Sequence, residues 1–369
     1  MERTKRVQNK QQQHLPLKEY NLKIDIDKVL KNIVNKDNQY TIPIFIPHFG
    51  CKNDCVFCNQ RRITGIDTTV SKEDIDKIIQ EHLSYFNKRH DKKIEIAFFG
   101  GSFTGIPVNK QIEFLEVAYK YVKSGNVDSI RISTRPDYIS IPILKMLEKY
   151  SVKTVELGVQ SMDDEVLNAS KRGHLKKDVI RAAKLISMFD INLGIQIMVG
   201  LPKSTMEKEI YTIKEILKLN PINLRIYPVY VLQDSKLYNM YEDNEYTPLT
   251  IDEASDRVFE ILKECRKTDV KIIRIGLQST EEITSANGDI IGPVCDNFAE
   301  YPMSKLILDE IEKYIDNKNI NKNNFNMLTV LVPKKYASII VGPNKINRKY
   351  LKEKYNVTLK IKGECKWKK

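Results

Sequence analysis

No window of the 369-residue chain approaches the ~18 consecutive apolar residues that a membrane span needs. The amino terminus, Met1 to Lys23, is polar, carries a Gln-rich patch and lacks an apolar signal core, so the expected compartment is the cytoplasm. A disulfide scaffold is excluded as well. Of six cysteines, three (Cys51, Cys55 and Cys58) are packed into one short loop, a crowding that reads as metal ligation or redox chemistry. Cys265, Cys295 and Cys365 are scattered and read as structural or surface thiols.

Acidic residues are nearly missing from one stretch. Asn317 to Lys369 holds 14 Lys and Arg against Glu353 and Glu364, whereas the rest of the chain carries 46 residues of each sign, so the whole net charge of +12 sits at this end. A localised basic module points to a polyanion partner, nucleic acid first; the plain alternative is a solvated Lys-rich face.

Apolar runs of strand character occur at Tyr40 to Ile46, Ile94 to Phe99, Ser129 to Ser133, Val152 to Val159, Leu193 to Val199 and Asn223 to Tyr227. Segments of helical spacing separate them: Ser71 to Phe86, opened by a Ser-x-x-Asp cap, then Lys110 to Lys123, Pro142 to Lys149, Lys176 to Met188 and Met206 to Leu219. About six strand and helix alternations predict a parallel α/β sheet wrapped as a barrel or part of one. Chemistry in such folds sits at the carboxyl ends of the strands, where the cysteine loop falls. A helix near Ile251 to Lys267 and a strand at Lys271 to Ile275 read as an extension of the same domain. The expected division is a polar leader over 1–39, a core over 40–316 and a basic module over 317–369.

Cys51-x3-Cys55-x2-Cys58 offers three thiolates, enough to hold three irons of a cubane cluster and leave the fourth without a protein ligand. The same spacing allows zinc, because His48 could complete a Cys3His tetrahedron.

The loop CKNDCVFC, with Phe57 at the aromatic position, resembles the Cys-x3-Cys-x-aromatic-Cys motif of the radical-SAM superfamily. The resemblance covers roughly Tyr40 to Gly276. It implies a partial (β/α)6 TIM-like barrel, a [4Fe–4S] cluster on Cys51, Cys55 and Cys58, and S-adenosyl-L-methionine as cofactor. Gly100-Gly101-Ser102 matches the turn that meets the methionine amino group, with Ser102 where an acidic residue is common. Glu156-Leu-Gly-Val-Gln160-Ser161 and Lys171-Arg172-Gly173-His174 are similar to segments of the oxygen-independent coproporphyrinogen dehydrogenases and of the Elongator catalytic subunit's radical domain. By that resemblance Gln160 contacts the ribose and Arg172 the methionine carboxylate, with Glu156 a secondary candidate. The turn at Gly200-Leu201-Pro202 corresponds to the adenine-contacting strand end. Ser133-Thr134-Arg135-Pro136-Asp137 is a polar cluster where a barrel keeps its site. The motifs single out no catalytic side chain.

STRPD, ELGVQSMDDEVL, RIYPVYVLQDSKLY and IRIGLQ are closer to the Elongator radical domain and its stand-alone bacterial relatives than to the porphyrinogen enzymes. Elongator modifies a tRNA wobble uridine with the help of an acetyl-CoA-binding domain, for which no room is expected after Ile315. Gly292-Pro293-Val294-Cys295-Asp296-Asn297-Phe298 departs from the Gly-Pro-x-His-Pro-x-Phe of these relatives. The basic tail resembles a KH RNA-binding core of strand, helix, glycine loop, helix and strand, small and α+β. Gly342 opens that loop, Lys345 stands where a second glycine is usual, and Arg348 takes a usually apolar helix position. The expectation is a radical-SAM enzyme acting on RNA, tRNA foremost, fed by an electron donor such as ferredoxin or flavodoxin, with no membrane partner. Porphyrin-like or other small-molecule radical chemistry is one rival; a non-catalytic RNA-binding protein with a structural zinc is the other.

Overall fold

Alternation of apolar and polar residues builds the larger part of the molecule. Strands β2 (Gln39–Ile46), β3 (Lys93–Gly100), β4 (Ser129–Thr134), β5 (Val152–Gln160), β6 (Asn192–Val199), β7 (Asn223–Pro228) and β9 (Lys271–Ile275) form one sheet in the order β2-β3-β4-β5-β6-β7-β9. Every neighbouring pair is parallel, and the two short strands β8 (Val231–Leu232) and β10 (Ile290–Ile291) pair antiparallel with each other. The computed structural model describes residues 17–33, 39–46, 55–58, 70–86, 92–277, 290–320 and 322–363.

Helices Lys72–Phe86, Val108–Lys123, Ile141–Lys149, Lys176–Ile186, Met206–Leu217 and Ile251–Cys265 fall between successive strands. Three of them start on a capping hydroxyl, from Ser71, Thr205 and Thr250. Ser71 Oγ accepts from Asp74 N–H at 3.1 Å while Asp74 accepts from Ser71 N–H at 2.9 Å, the reciprocal cap read from the sequence. Ile44, Ile96, Ile132, Val155, Ile195 and Ile226 are buried on one face of the sheet. The alternate positions carry Glu95, Arg131, Glu156 and Arg225, so the other face is charged.

That face is concave. Arg131 Nη1 on β4 reaches Asn223 Oδ1 on β7 at 3.4 Å, although strands three apart in a flat sheet lie about 14 Å from one another. The sheet must curl to bring them together. Gly194 on the intervening β6 makes room: a Cβ there would stand 2.6 Å from Asn223 Oδ1. The architecture is thus an open, barrel-like α/β sheet with one strand more than the sixfold alternation predicts, because Lys271–Ile275 adds in parallel to β7.

The chain divides into two units, one running from Lys31 to Pro302, the other made of the described residues up to Leu30 together with those from Met303 onward. This differs from a leader over 1–39 and a boundary at 317. Strand β1 (Leu17–Lys23) pairs in parallel with β11 (Phe325–Val332), which pairs in parallel with β12 (Val357–Gly363). Its polar composition is that of an edge strand with much of its surface in water, so it reads as leader. Nearly all of helix Glu300–Asn317 likewise falls in the smaller unit, where Leu306, Ile307, Ile311 and Ile315 are buried.

Within that unit, helix Ala337–Val341, a turn at Gly342 and helix Ile346–Tyr355 connect β11 to β12, the element order expected of the tail. Gly342 has φ +75°, and a Cβ there would lie 2.8 Å from Ser304 Oγ and from Ile346 Cγ2. Among the described residues no helix is long and apolar enough to cross a membrane.

Candidate active site

The cysteine loop leaves the carboxyl end of β2, and its described part, residues 55–58, is pinned from two sides. Val56 N–H donates to Ser170 O at 3.2 Å, and Val56 O accepts from Leu237 N–H at 2.8 Å. Val56 is buried with Val166, Leu201, Val229, Val231 and Leu237, and Phe57 packs against this cluster. The motif's aromatic residue is therefore an anchor. Cys58 N–H donates to Cys55 O at 3.0 Å, so the two cysteines share one turn. Cys51 and His48 lie outside the described residues.

Cys55 is buried, and two guanidinium groups converge on its sulfur. Arg172 Nη1 stands 3.2 Å from Cys55 Sγ and its Nη2 donates to Gly158 O at 2.6 Å. Arg135 Nη1 is 4.0 Å from the same sulfur, and its Nε and Nη2 pair with both oxygens of Asp137 at 3.0 and 3.1 Å. Two guanidinium groups against the sulfur are a surrounding that suits an anionic iron–sulfur cluster. Gly158 leaves room for both side chains, since a Cβ there would stand 3.0 Å from Arg172 Nη2 and from Gln160 Nε2.

His174 lies behind these arginines. Burial, then the charges of Arg172 and Arg135, push its pKa down to about 3. The ring is neutral near pH 7, and because Val159 O can only accept at 3.2 Å, Nε2 carries the proton. A residue so fixed is a structural part of the wall.

The other strand ends close around the loop. Gly100 has φ +97°, and a Cβ there would lie 2.6 Å from Ile46 O, the carbonyl that also accepts from Gly101 N–H at 3.2 Å. Only glycine lets the turn after β3 pass this close to the root of the cysteine loop. Ser102 is buried beside it, and Thr104 and Thr134 hydroxyls meet at 2.6 Å to tie β3 to β4. Gln160 ends β5 in the left-handed region at φ +69°, beside a break in the β5–β6 register, and its Oε1 accepts from Gln196 Nε2 at 3.4 Å. Gly200 has φ +88°; its N–H donates to Glu209 Oε1 at 2.8 Å and its carbonyl accepts from Tyr246 OH at 2.6 Å. Both polar groups of this turn already have partners. Burial raises the pKa of the Glu209 carboxyl that holds it.

Glu156 stands apart from this ring, on the floor of the concave face. Its Oε2 accepts from Arg225 Nε at 2.8 Å and Arg131 Nη1 at 3.4 Å, while Arg131 Nε bonds Glu95 Oε2 at 2.8 Å. The Arg225 guanidinium lies 5.0 Å above the Phe99 ring. Gly158 and Arg225 were not anticipated from the sequence; glycine inside a strand is the one signal that could have marked the first. In the smaller unit Lys345 and Arg348 are exposed. Lys345 has φ +61°, so the position where a second glycine is usual does adopt the left-handed conformation.

Comparison with known proteins bears on this arrangement. A model of the Radical SAM superfamily matches residues 45–216, and one of the Radical_SAM C-terminal domain matches 221–308. An uncharacterized protein of Methanocaldococcus jannaschii is 30% identical over 237 residues, 62% of this chain and 72% of that protein. The tRNA uridine(34) acetyltransferase of the same organism is 30% identical over 182 residues, 44% of this chain and 34% of its own length. Elongator complex protein 3 of Dictyostelium discoideum is 27% identical over 46% of this chain and 34% of its own. The chain thus spans about a third of the length of these two curated relatives. Among solved structures, the archaeal Methanocaldococcus infernus Elp3 with an N-terminal deletion shares the fold, with a TM-score of 0.56, 22% identity, and coverage of 78% of this chain and 65% of that one.

Proposed function

This chain belongs to the radical SAM superfamily, whose cofactors are a [4Fe–4S] cluster and S-adenosylmethionine, and we propose that its cysteine loop holds the cluster through Cys51, Cys55 and Cys58 to modify RNA, tRNA foremost. The observation that carries the site assignment is the double guanidinium contact at Cys55. A cluster held by Cys51, Cys55 and Cys58 would supply the reductive cleavage of S-adenosylmethionine that yields a 5′-deoxyadenosyl radical. The protein's part is to hold and enclose. Val56 and Phe57 fix the loop, Gly100 lets the β3 turn close under it, and Arg172 and Arg135 compensate negative charge at Cys55. In this reading Gln160, Ser102 and the backbone at Gly100 and Gly101 contact S-adenosylmethionine, the roles the resemblance gives them.

An RNA substrate is supported by the relatives named as tRNA uridine(34) acetyltransferases and by the basic smaller unit. Gly342 shapes a turn from which Lys345 and Arg348 face solvent, where they can meet phosphates. The reading places the enzyme in the cytoplasm with a small reductant, a ferredoxin or flavodoxin, as donor. Filter binding of tRNA to the full chain tests the RNA assignment. Replacing both Lys345 and Arg348 with Gln is expected to weaken binding about tenfold at low salt and to flatten its salt dependence by about two counter-ions. Lys345→Gly keeps the left-handed turn while removing one charge, and should lose about half as much in free energy. Unchanged affinity in both variants would direct attention to a small-molecule substrate.

A further inference from the structure

Among the described residues, the strands place three arginines and two glutamates on the concave face of the sheet. Arg131 is held by Glu95, and Arg225 by Glu156. Arg274 on β9 is left over. Register pairs Arg225 with Arg274, so the two side chains leave the same face of adjacent parallel strands. Arg274 is half-buried, its Nε donates to Gly276 O at 3.1 Å, and no carboxylate pairs with it among the described residues. The groups that act on it electrically are Tyr227, Arg225 and Tyr230, none of them an anion near pH 7. Burial, with the repulsion of Arg225, lowers its pKa.

A guanidinium withdrawn from water beside a second guanidinium is costly, and a bound oxyanion is what offsets that cost. Arg274 keeps part of its surface in water, and the same face is open at the opposite edge strand, where Phe45 is 38% exposed and meets Phe99 at 6.2 Å between ring centroids. We infer that Arg274 is the anion-recognition point of the concave chamber, binding a carboxylate or phosphate carried by the molecule on which the enzyme acts. The inference rests on the radical SAM reading for the identity of the chamber and adds the charge class of its occupant.

Labelling by phenylglyoxal, which adds to accessible guanidinium groups, tests it on the anaerobically reconstituted full chain. The rate at the Arg274 peptide is followed by mass spectrometry without addition, with acetate, with orthophosphate, and with an anticodon stem–loop RNA. Arg181 is the internal control, being exposed with its guanidinium on Ile139 O at 3.5 Å. Saturable protection of Arg274 by about fivefold or more, with Arg181 unchanged, is expected in at least one arm. Protection by acetate or orthophosphate assigns the oxyanion to a small co-substrate; protection by RNA alone assigns it to a backbone phosphate. Equal rates in all arms, or protection shared with Arg181, overturn the inference.

Arg274→Gln and Arg274→Lys supply a second readout. Gln is expected to raise by about tenfold the Kd of whichever probe protects Arg274, acetate, orthophosphate or the stem–loop RNA, the loss of one charged hydrogen bond, while substrate-free cleavage of S-adenosylmethionine continues. Lys, which keeps the charge, should lose less; equal losses in both variants contradict a charge-recognition role. Absence of any 5′-deoxyadenosine from the unaltered chain would instead sink the enzyme reading, a failure the labelling arms do not share.

Discussion

Arg172 and Cys55 meet at 3.2 Å, guanidinium nitrogen to sulfur, while the other end of the guanidinium is fixed on Gly158 O. Resemblance alone assigns Arg172 to the methionine carboxylate, and the two roles separate experimentally. A cation donating to a cluster sulfur favours the reduced state, so Arg172→Gln should lower the cluster's midpoint potential by about 60 mV, a tenfold change for one electron. Arg172→Lys should recover part of it. Potentiometric titration followed by electron paramagnetic resonance checks this. An unchanged potential with a raised Kd for S-adenosylmethionine would return Arg172 to the carboxylate role.

Glu156 is a candidate cofactor contact by resemblance, yet it joins Arg131 and Arg225 in a buried ion network. Glu156→Gln leaves Arg225 without its carboxylate, while Arg131 keeps Glu95, and breaking such a pair costs about 3–5 kcal/mol. Urea unfolding should show that loss, with the Kd for S-adenosylmethionine changed by less than about twofold. A large change in that Kd at full stability would place Glu156 at the cofactor.

The depressed pKa of His174 makes stability depend on pH. Below the unfolded value near 6.5 the unfolded chain takes up a proton that the folded ring refuses until about 3, so stability falls as pH drops through this window. The slope contributed is at most about 1.4 kcal/mol per pH unit. His174→Gln should flatten the stability profile between those limits; an identical profile would mean that His174 titrates normally.

Much of the fold was legible because alternating apolar runs and Ser-x-x-Asp caps are local signals, and the cysteine spacing is local too. What escaped is long-range. Arg172 lies 117 residues from Cys55 and Arg135 lies 80, and their convergence depends on how far the sheet curls. The same holds for Arg225 and Glu156, 69 residues apart. β1 escaped for another reason: an edge strand needs few apolar residues, and its partner β11 lies at the far end of the chain.

Two glycines with positive φ separate backbone strain from close approach. Gly125 has φ +77° and nothing within 4 Å of an added Cβ, so Gly125→Ala should cost about 1 kcal/mol. Gly100→Ala adds a collision with Ile46 O to similar strain and should cost clearly more, about 2–4 kcal/mol, together with lower iron content after reconstitution. Equal losses in the two variants would mean that the turn after β3 does not support the cysteine loop.

The central claim is that Cys51, Cys55 and Cys58 hold a cluster able to cleave S-adenosylmethionine. Its most direct measurement is 5′-deoxyadenosine formation by the anaerobically reconstituted chain with dithionite, alongside iron and sulfide analysis of the same sample. The account predicts about four irons and four sulfides per chain, with turnover that Cys55→Ala abolishes. One zinc per chain, no sulfide and no 5′-deoxyadenosine would contradict it.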